Sequence, residues 1–140
     1  MRRKLLTAKL HGIRVTGAEL HYEGSIALDP AHCERAGLLP FEFVDIWNKS
    51  SGARISTYVI LGRRGSGCCV LNGAAARTCQ VGDELIIAAS ADVEDGEIDA
   101  LRPRVLVYGE RNRIVEVIDS RIVRRRDGRV AVQRLSTRRR

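Results

Sequence analysis

Short runs of Val, Ile and Leu, separated by clusters of Gly, Asn, Asp and Ser, make up most of this chain. Runs of this length bounded by turn-forming residues are typical of β-strands, and apolar positions at helical spacing are scarce. The pattern therefore predicts an all-β barrel. The predicted strands are residues 5–15, 18–22, 25–28, 42–47, 54–61, 68–71, 84–89, 105–108 and 114–118.

One short helix is predicted between Asp29-Pro30 and Gly37. Asp accepts hydrogen bonds from the first free amides of a helix, Pro fits the first helical position, and Gly suits the left-handed residue that ends a helix. A further helical turn is predicted at residues 73–76, where small residues follow Asn72. The remaining predictions are turns at residues 62–67 and 109–112 and an acidic surface loop at residues 92–99.

The formal net charge of +7 is concentrated at the C-terminal end of the chain. Residues 121–140 contain nine Arg and a single acid, Asp127, and carry +8, whereas the other residues together carry −1. We therefore divide the chain into a barrel domain, residues 1–120, and an Arg-rich tail, residues 121–140. The pair Asp127-Gly128 between two runs of Val, Ile and Arg indicates a hairpin, but this density of Arg is equally compatible with a disordered arm.

Composition and spacing also argue against several classes of protein. The longest strongly apolar run, residues 85–89, is far shorter than the roughly 18 residues that span a bilayer. Lys9 and Arg14 interrupt the apolar stretch that a signal peptide would need, so a cytoplasmic protein is predicted. The cysteines form no C-x-x-C pair, which favours reduced, buried thiols and no metal site. They are Cys33, Cys68, Cys69 and Cys79.

The pair Gly24-Ser25 is unusual within a predicted strand, because glycine weakens a strand unless the backbone needs it. Taken alone, the pair indicates only a β-bulge. It stands, however, in an ordered series of segments: Lys9-Leu10-His11, Leu20-His21-Tyr22-Glu23-Gly24-Ser25, Asp45-Ile46-Trp47-Asn48, Gly52, Arg54, Ser56-Thr57-Tyr58, Asn72-Gly73-Ala74-Ala75-Ala76 and Val81-Gly82-Asp83. Over residues 9–90 this series resembles the self-processing aspartate 1-decarboxylases, which depend on a pyruvoyl group.

The resemblance implies a double-psi β-barrel assembled as a homotetramer, and cleavage between Gly24 and Ser25 into chains 1–24 and 25–140. The Ser25 hydroxyl would attack the Gly24 carbonyl to form an ester, and elimination followed by hydrolysis would convert Ser25 into the pyruvoyl group. Gly24, which lacks a Cβ, is expected to adopt a strained conformation that opens its carbonyl to attack. Thr57 is expected to stabilise the developing oxyanion.

In the mature enzyme that the resemblance implies, the pyruvoyl group replaces an external cofactor. It would form a Schiff base with L-aspartate and accept electrons as carbon dioxide leaves, giving β-alanine for pantothenate and coenzyme A biosynthesis. Tyr58 is implied as the proton donor. The residues implied in substrate binding are Arg54, Lys9, Thr57, Asn72, Gly73, Ala74 and Ala75, with the Arg54 guanidinium suited to a carboxylate.

Thr57 and Tyr58 are adjacent in one predicted strand, so their side chains should point to opposite faces. An active site formed between subunits would allow both to act. The sequence leaves open whether processing needs a maturation partner and what the Arg-rich tail does.

A different class of protein remains as an alternative: a small β-barrel that binds nucleic acid through the Arg-rich tail. With six aromatic residues in the whole chain, it offers few of the stacking surfaces that single-strand binders use, which counts against this interpretation. A second Gly-Ser pair, Gly65-Ser66, lies in a glycine-rich segment and is interpreted as an ordinary turn.

Overall fold

The computed structural model describes residues 1–139 and the side chains of residues 1–135. The strands are β1 (Arg2–Arg14), β2 (Gly17–Glu19), β3 (Ser25–Leu28), β4 (Phe43–Asn48), β5 (Arg54–Leu61), β6 (Cys69–Asn72), β7 (Glu84–Glu94), β8 (Arg104–Tyr108), β9 (Ile114–Arg124) and β10 (Val130–Arg139). The helices are α1 (Pro30–Ala36) and the 3₁₀ helices Gly73–Thr78, Asp95–Ala100 and Glu110–Asn112. Within residues 1–139 no helix combines the length and the apolar character needed to cross a membrane.

The strands form one sheet in the order β10-β9-β8-β1-β7-β4-β5-β3-β6-β2. Six neighbours in this order, β1-β7-β4-β5-β3-β6, form a closed barrel. The barrel closes because β1 continues into β2, which pairs with β6, and the Thr16 amide between β1 and β2 donates to the Cys69 carbonyl of β6 (2.8 Å). The pairs β3–β5 and β2–β6 are parallel, whereas β1–β7, β4–β7, β4–β5 and β3–β6 are antiparallel. The prediction of an all-β protein with a double-psi β-barrel and short helices is confirmed.

The barrel core comes from the inward-facing residues of each strand. Leu10, Ile26, Val59 and Leu71 are fully buried and come from four different strands. In β1 the regular alternation breaks at a register shift between His11 and Ile13, where Gly12 has a φ of +85°, so that Ile13 and Val15 also face inward. The free cysteines Cys33 and Cys69 belong to the same core, whereas Cys68 and Cys79 are half-buried.

The helix prediction is confirmed at both ends. The Asp29 carboxylate accepts from the Ala31 amide (2.9 Å), and Gly37 ends α1 with a φ of +78°. The predicted turn at 73–76 is the 3₁₀ helix Gly73–Thr78. These elements were predictable because their signals lie within a few residues of each other.

Several predicted elements have the wrong bounds: β1 begins at Arg2 rather than at residue 5, and β9 runs to Arg124 rather than to residue 118. Residues 20–22 belong to a turn, because β2 pairs with β6 only as far as Glu19, which lies opposite the last residue of β6, Asn72. The acidic segment 92–99 is not a loop: β7 continues to Glu94, and the 3₁₀ helix Asp95–Ala100 follows. The N-terminal part of β1 pairs with this extension, and an Arg2–Glu94 ion pair (2.8 Å) joins the two strands.

The Arg-rich tail takes the hairpin form rather than that of a disordered arm. Strand β9 runs past residue 120, and β10 returns along it with Val130 opposite Arg124. At the turn, Gly128 has a φ of +83° and the Asp127 carboxylate accepts from the Arg129 amide (2.9 Å). Arg140 lies outside the described residues.

Asp29 also holds the 62–67 turn against α1, which makes it a testable anchor of the fold. Its carboxylate, 1% exposed, accepts from three backbone amides: Ala31 (2.9 Å), Gly65 (3.2 Å) and Gly67 (2.8 Å). Burial raises the pKa of Asp29, but the hydrogen bonds outweigh it and the pKa lies below its ordinary value. The charged form is therefore favoured by folding.

Asp29→Asn is expected to lower the free energy of unfolding by roughly 1–3 kcal/mol at pH 7, because an amide cannot accept all three bonds as a carboxylate does. The stabilisation from a lowered pKa is present above the unfolded-state value, about 3.9, and is lost as the pH falls through the native value. Urea unfolding of both proteins should therefore show a difference that shrinks below about pH 4. Asp127→Asn, at an exposed turn, is the control; a difference for Asp29→Asn independent of pH would contradict the argument.

Candidate active site

Ser25 is the first residue of β3 and is almost fully buried (1% exposed). It lies opposite Asn72 of β6, whose Nδ2 donates to Ser25 Oγ (3.0 Å). The Ser25 hydroxyl donates in turn to the backbone carbonyl of Glu23 (3.3 Å). The side chain predicted to be the nucleophile is thus fixed by two partners, and Asn72, predicted to bind substrate, contacts the nucleophile directly.

Gly24 does not carry the backbone strain that the sequence analysis expected. It is exposed, it is not among the glycines with positive φ, and a Cβ built on it would meet nothing within 4 Å. The structure of the uncleaved chain therefore gives no steric reason for glycine at this position.

The position that requires glycine is Gly73. It has a φ of +65°, and a Cβ there would lie 2.8 Å from Gly24 Cα, 2.8 Å from the Tyr22 carbonyl oxygen and 2.9 Å from the Gly24 nitrogen. These neighbours are backbone atoms, which cannot move aside as a flexible side chain can. The backbone before Ser25 therefore rests directly on Gly73, a contact between two segments that the sequence showed only separately.

The 3₁₀ helix that begins at Gly73 is held at its other end by hydrogen bonds from the buried side chain of Asn48. Asn48, 5% exposed, donates through Nδ2 to the Thr78 carbonyl (3.2 Å) and to Asp83 Oδ2 (2.9 Å). The bond from Asn48, together with one from the Gln80 amide, lowers the pKa of Asp83. Asn48 and Asp83 were not among the predicted site residues, although both lie in the segments that resemble the family.

Ala74 and Ala75, predicted to bind substrate, lie in the same 3₁₀ helix. Ala74 is exposed, whereas Ala75 is half-buried and packs against the barrel core. Both therefore lie close in the chain to Asn72 and Gly73, but they face different surroundings.

Thr57 and Tyr58 face opposite sides of β5. Thr57 is buried on the side of Val59, whereas the Tyr58 ring contacts Phe41 and Phe43, with ring centroids 6.2 and 5.9 Å apart. The parallel pairing of β3 with β5 begins at Ile26 and Val59. One residue further back along β3 and β5, the same register places Tyr58 level with Ser25. One more residue back, it places Thr57 level with Gly24, which precedes β3.

Arg54 and Lys9 lie on the outer face of the barrel, because each alternates along its strand with residues that face the core. The Arg54 guanidinium stacks over the Trp47 ring, 4.5 Å from its centroid, which is a cation–π contact. Lys9, half-buried in β1, lies in register with Ala88 of β7 and, beyond it, Asp45 of β4. Lys9 lies on β1, which is not a hydrogen-bonded neighbour of β3, the strand that begins at Ser25.

Comparison with known proteins identifies the family of this chain. A family model described as Aspartate decarboxylase matches residues 1–115. A protein of Xanthobacter autotrophicus named Aspartate 1-decarboxylase is 64% identical over 126 residues, covering 90% of this chain and 84% of its own. A Methylocella silvestris protein of the same name is 65% identical over 122 residues, covering 87% and 79%.

Among solved structures, the rationally designed mkDPBB_sym_86 protein matches with a TM-score of 0.40 and 17% identity, over 60% of this chain and 95% of that one. The family match spans the segments around Gly24-Ser25, Thr57-Tyr58 and Asn72-Gly73 and ends before most of β9. On the extent of that match and the identity to these relatives, this chain belongs to the aspartate decarboxylase family.

Proposed function

We propose that this chain cleaves itself between Gly24 and Ser25 and then converts L-aspartate to β-alanine and carbon dioxide, for pantothenate and coenzyme A biosynthesis. The observation that carries the proposal is the buried Ser25 hydroxyl, held by Asn72 at the point where the preceding backbone rests on Gly73. Membership of the aspartate decarboxylase family, with relatives named Aspartate 1-decarboxylase, supports the same reaction.

Processing needs the Ser25 oxygen to form a bond with the Gly24 carbonyl carbon as the Gly24–Ser25 C–N bond breaks and the hydroxyl proton passes to the nitrogen. The hydroxyl must first leave the Glu23 carbonyl, which lies one peptide away. Thr57, level with Gly24 by strand register, is the candidate donor to the oxyanion that develops on the Gly24 carbonyl. Elimination from the resulting ester and hydrolysis, with loss of ammonia, leave the pyruvoyl group at position 25.

The surroundings of Ser25 fit such a group. Asn72 Nδ2 already donates to the side chain at this position, and the exposed segment 20–24 covers it until cleavage frees the end of that segment. When formed, the pyruvoyl group supplies the carbonyl that takes up the substrate amine and the electron pair left by the departing carboxylate. No external cofactor is then required.

The chain's own side chains would bind the substrate and move the proton. Tyr58, level with Ser25, is the candidate proton donor. Arg54 and Lys9 are the candidate partners of the two substrate carboxylates, since an aspartate dianion requires cations. Asn72, Gly73, Ala74, Ala75 and Thr57 would complete the binding site.

Lys9 lies on β1, which does not pair with β3, and Thr57 and Tyr58 face opposite sides of β5, so we expect the complete site to need a second copy of the chain. A homotetramer with active sites between subunits meets this requirement. An exposed apolar surface beside Tyr58, formed by Leu39 (68% exposed), Phe41 (74%) and Phe43 (67%), supports such an interface. Phe41 holds a φ of +69°, a strained conformation for a side chain that is left in solvent.

Intact-mass spectrometry of the purified protein tests the proposal. Incubation should convert one species into fragments 1–24 and 25–140, the larger carrying the mass of a pyruvoyl end in place of serine. Aspartate should then yield β-alanine, followed by proton NMR, and borohydride should trap an adduct on fragment 25–140 only when aspartate is present. A chain that stays whole after prolonged incubation and traps no adduct would contradict both steps.

A further inference from the structure

A cleft of about 360 Å³ that the proposed reaction does not use opens between α1, the 62–67 turn and the 3₁₀ helix Glu110–Asn112. Asp29, which lines the cleft, directly follows β3, and Ser25 begins the same strand. Four residues of extended strand therefore separate the cleft from Ser25, about 13 Å. This distance makes the cleft a second site rather than an extension of the first.

Two buried side chains make the floor of the cleft rigid. Asp29 joins α1 to the 62–67 turn through its three amide hydrogen bonds. Asn112, 4% exposed, joins the same turn to β1: its Nδ2 donates to the carbonyls of Gly67 (2.8 Å) and Arg14 (2.9 Å), and its Oδ1 accepts from the Arg14 amide (2.8 Å). The walls are thus preorganised, which lowers the entropy cost of binding.

Two of the cations that line the cleft, Arg111 and Arg113, have no acidic partner among the residues that the structure describes. Arg111 and Arg113 flank Asn112, are exposed, and make no side-chain hydrogen bond or ion pair with any part of the chain that the structure describes. Arg35 lines the opposite wall, on α1. Asp29 is the acidic residue among those that line the cleft. Its carboxylate oxygens already accept hydrogen bonds from the Ala31, Gly65 and Gly67 amides.

The backbone at Arg111 supports a binding role. Arg111 has a φ of +56°, a left-handed conformation that costs on the order of 1 kcal/mol or more for most residues, whereas Asn112, with a φ of +54°, is a residue type that tolerates it. The Asn112 hydrogen bonds hold this turn, and Arg111 and Arg113 lie on either side of Asn112 in the chain. Strained residues of this kind cluster at ligand sites.

We propose that this cleft binds a small phosphate-bearing molecule, whose phosphoryl oxygens are held by the guanidinium groups of Arg111 and Arg113. Guanidinium groups donate paired hydrogen bonds that match the geometry of phosphate oxygens. The volume suits a small molecule, since ligand pockets range from about 300 to 1,000 Å³. Ala31 and Ile114 provide apolar wall for the remainder of the ligand. This binding does not depend on the reaction at Ser25.

Isothermal titration calorimetry of the full chain with sodium pyrophosphate and with inorganic phosphate, in chloride buffer of constant ionic strength, tests the proposal. Saturable binding of one pyrophosphate per chain is expected, with phosphate weaker. Arg113→Gln should weaken binding about tenfold, and Arg111→Gln/Arg113→Gln should weaken it further, because each removed guanidinium takes with it charge-assisted hydrogen bonds. Arg113 has ordinary extended backbone (φ −76°), so Arg113→Gln carries the test even if the double variant folds poorly.

Two control variants distinguish pyrophosphate binding in the cleft from pyrophosphate binding to arginines elsewhere on the protein. Arg125→Gln/Arg126→Gln removes the same charge from the exposed hairpin turn and should leave the affinity within about twofold, since exposed charges at a distance are screened. Arg54→Gln should also leave it unchanged. Equal weakening by the hairpin variant, loss of binding in Arg54→Gln instead, or the absence of saturable binding to the unchanged protein would each overturn the proposal.

Discussion

Ser25→Ala is expected to remain a single chain and to lose more than about 10³-fold in aspartate decarboxylation, the scale seen when a covalent catalyst is removed. The alanine has no hydroxyl to attack the Gly24 carbonyl and cannot be converted into a pyruvoyl group. It fits the site sterically, because it removes only the oxygen that Asn72 and Glu23 contact. Intact mass and β-alanine production, measured on the same sample, check both consequences.

The second Gly-Ser pair offers a matched control. Ser66 follows Gly65 in an exposed turn and its hydroxyl donates to the Arg63 carbonyl (2.5 Å). Ser66→Ala should cleave at position 24 and decarboxylate like the unchanged protein, since a Gly-Ser pair outside the Asn72 and Gly73 environment has no role in the reaction. Cleavage that persists in Ser25→Ala, or that disappears in Ser66→Ala, would refute the assignment of the nucleophile.

Gly73→Ala is expected to slow self-cleavage about 10- to 100-fold. The added Cβ would come within 2.8 Å of Gly24 Cα and of the Tyr22 carbonyl, so the backbone that carries the scissile bond must shift away from Ser25. A displacement of about 1 Å between reacting groups can cost on the order of 10²-fold in rate. The time course of intact mass after purification or refolding measures the effect.

A loss of this size could also come from the strain of placing alanine at positive φ, so the control is another glycine of that kind. Gly128 has a φ of +83° in the β9–β10 turn, and a Cβ there would meet nothing within 4 Å. Gly128→Ala should destabilise the hairpin locally and leave the cleavage rate unchanged. If Gly73→Ala and Gly128→Ala process at the same rate, the contact with Gly24 is not what positions the scissile bond.

Helix α1 and the hairpin turn at Asp127-Gly128 were predictable because the interactions that form them are local. Asp29 caps amides two residues away, and the turn at Gly128 closes within five residues. The strands were predictable for a related reason, since their alternation of buried and exposed residues is written along each segment. The length of β7 was not predicted, because Asp92 and Glu94 lie in an acidic segment that indicates a surface loop, whereas residues 90–94 pair with the start of β1.

The resemblance to a known family drew attention to Ser25, Thr57, Tyr58 and Asn72, and it named the chemistry before any contact was known. From the resemblance, we expected that glycine would be required at Gly24, because the scissile bond is there. In the structure glycine is required at Gly73 instead, where the backbone of residues 22–24 approaches closely. Neither segment predicts this contact by itself, because the two are distant in the chain.

Sequence patterns were therefore enough to predict the all-β class, the local caps and turns, and a basic tail beside a nearly neutral body, and the family resemblance supplied the residues of the candidate reaction. How these residues meet is visible only in the folded chain, which packs Gly24 on Gly73 and sets Asn72 against the Ser25 hydroxyl. Strand register and close backbone contact depend on the closure of the whole barrel, whereas composition, capping and alternation depend only on neighbouring residues.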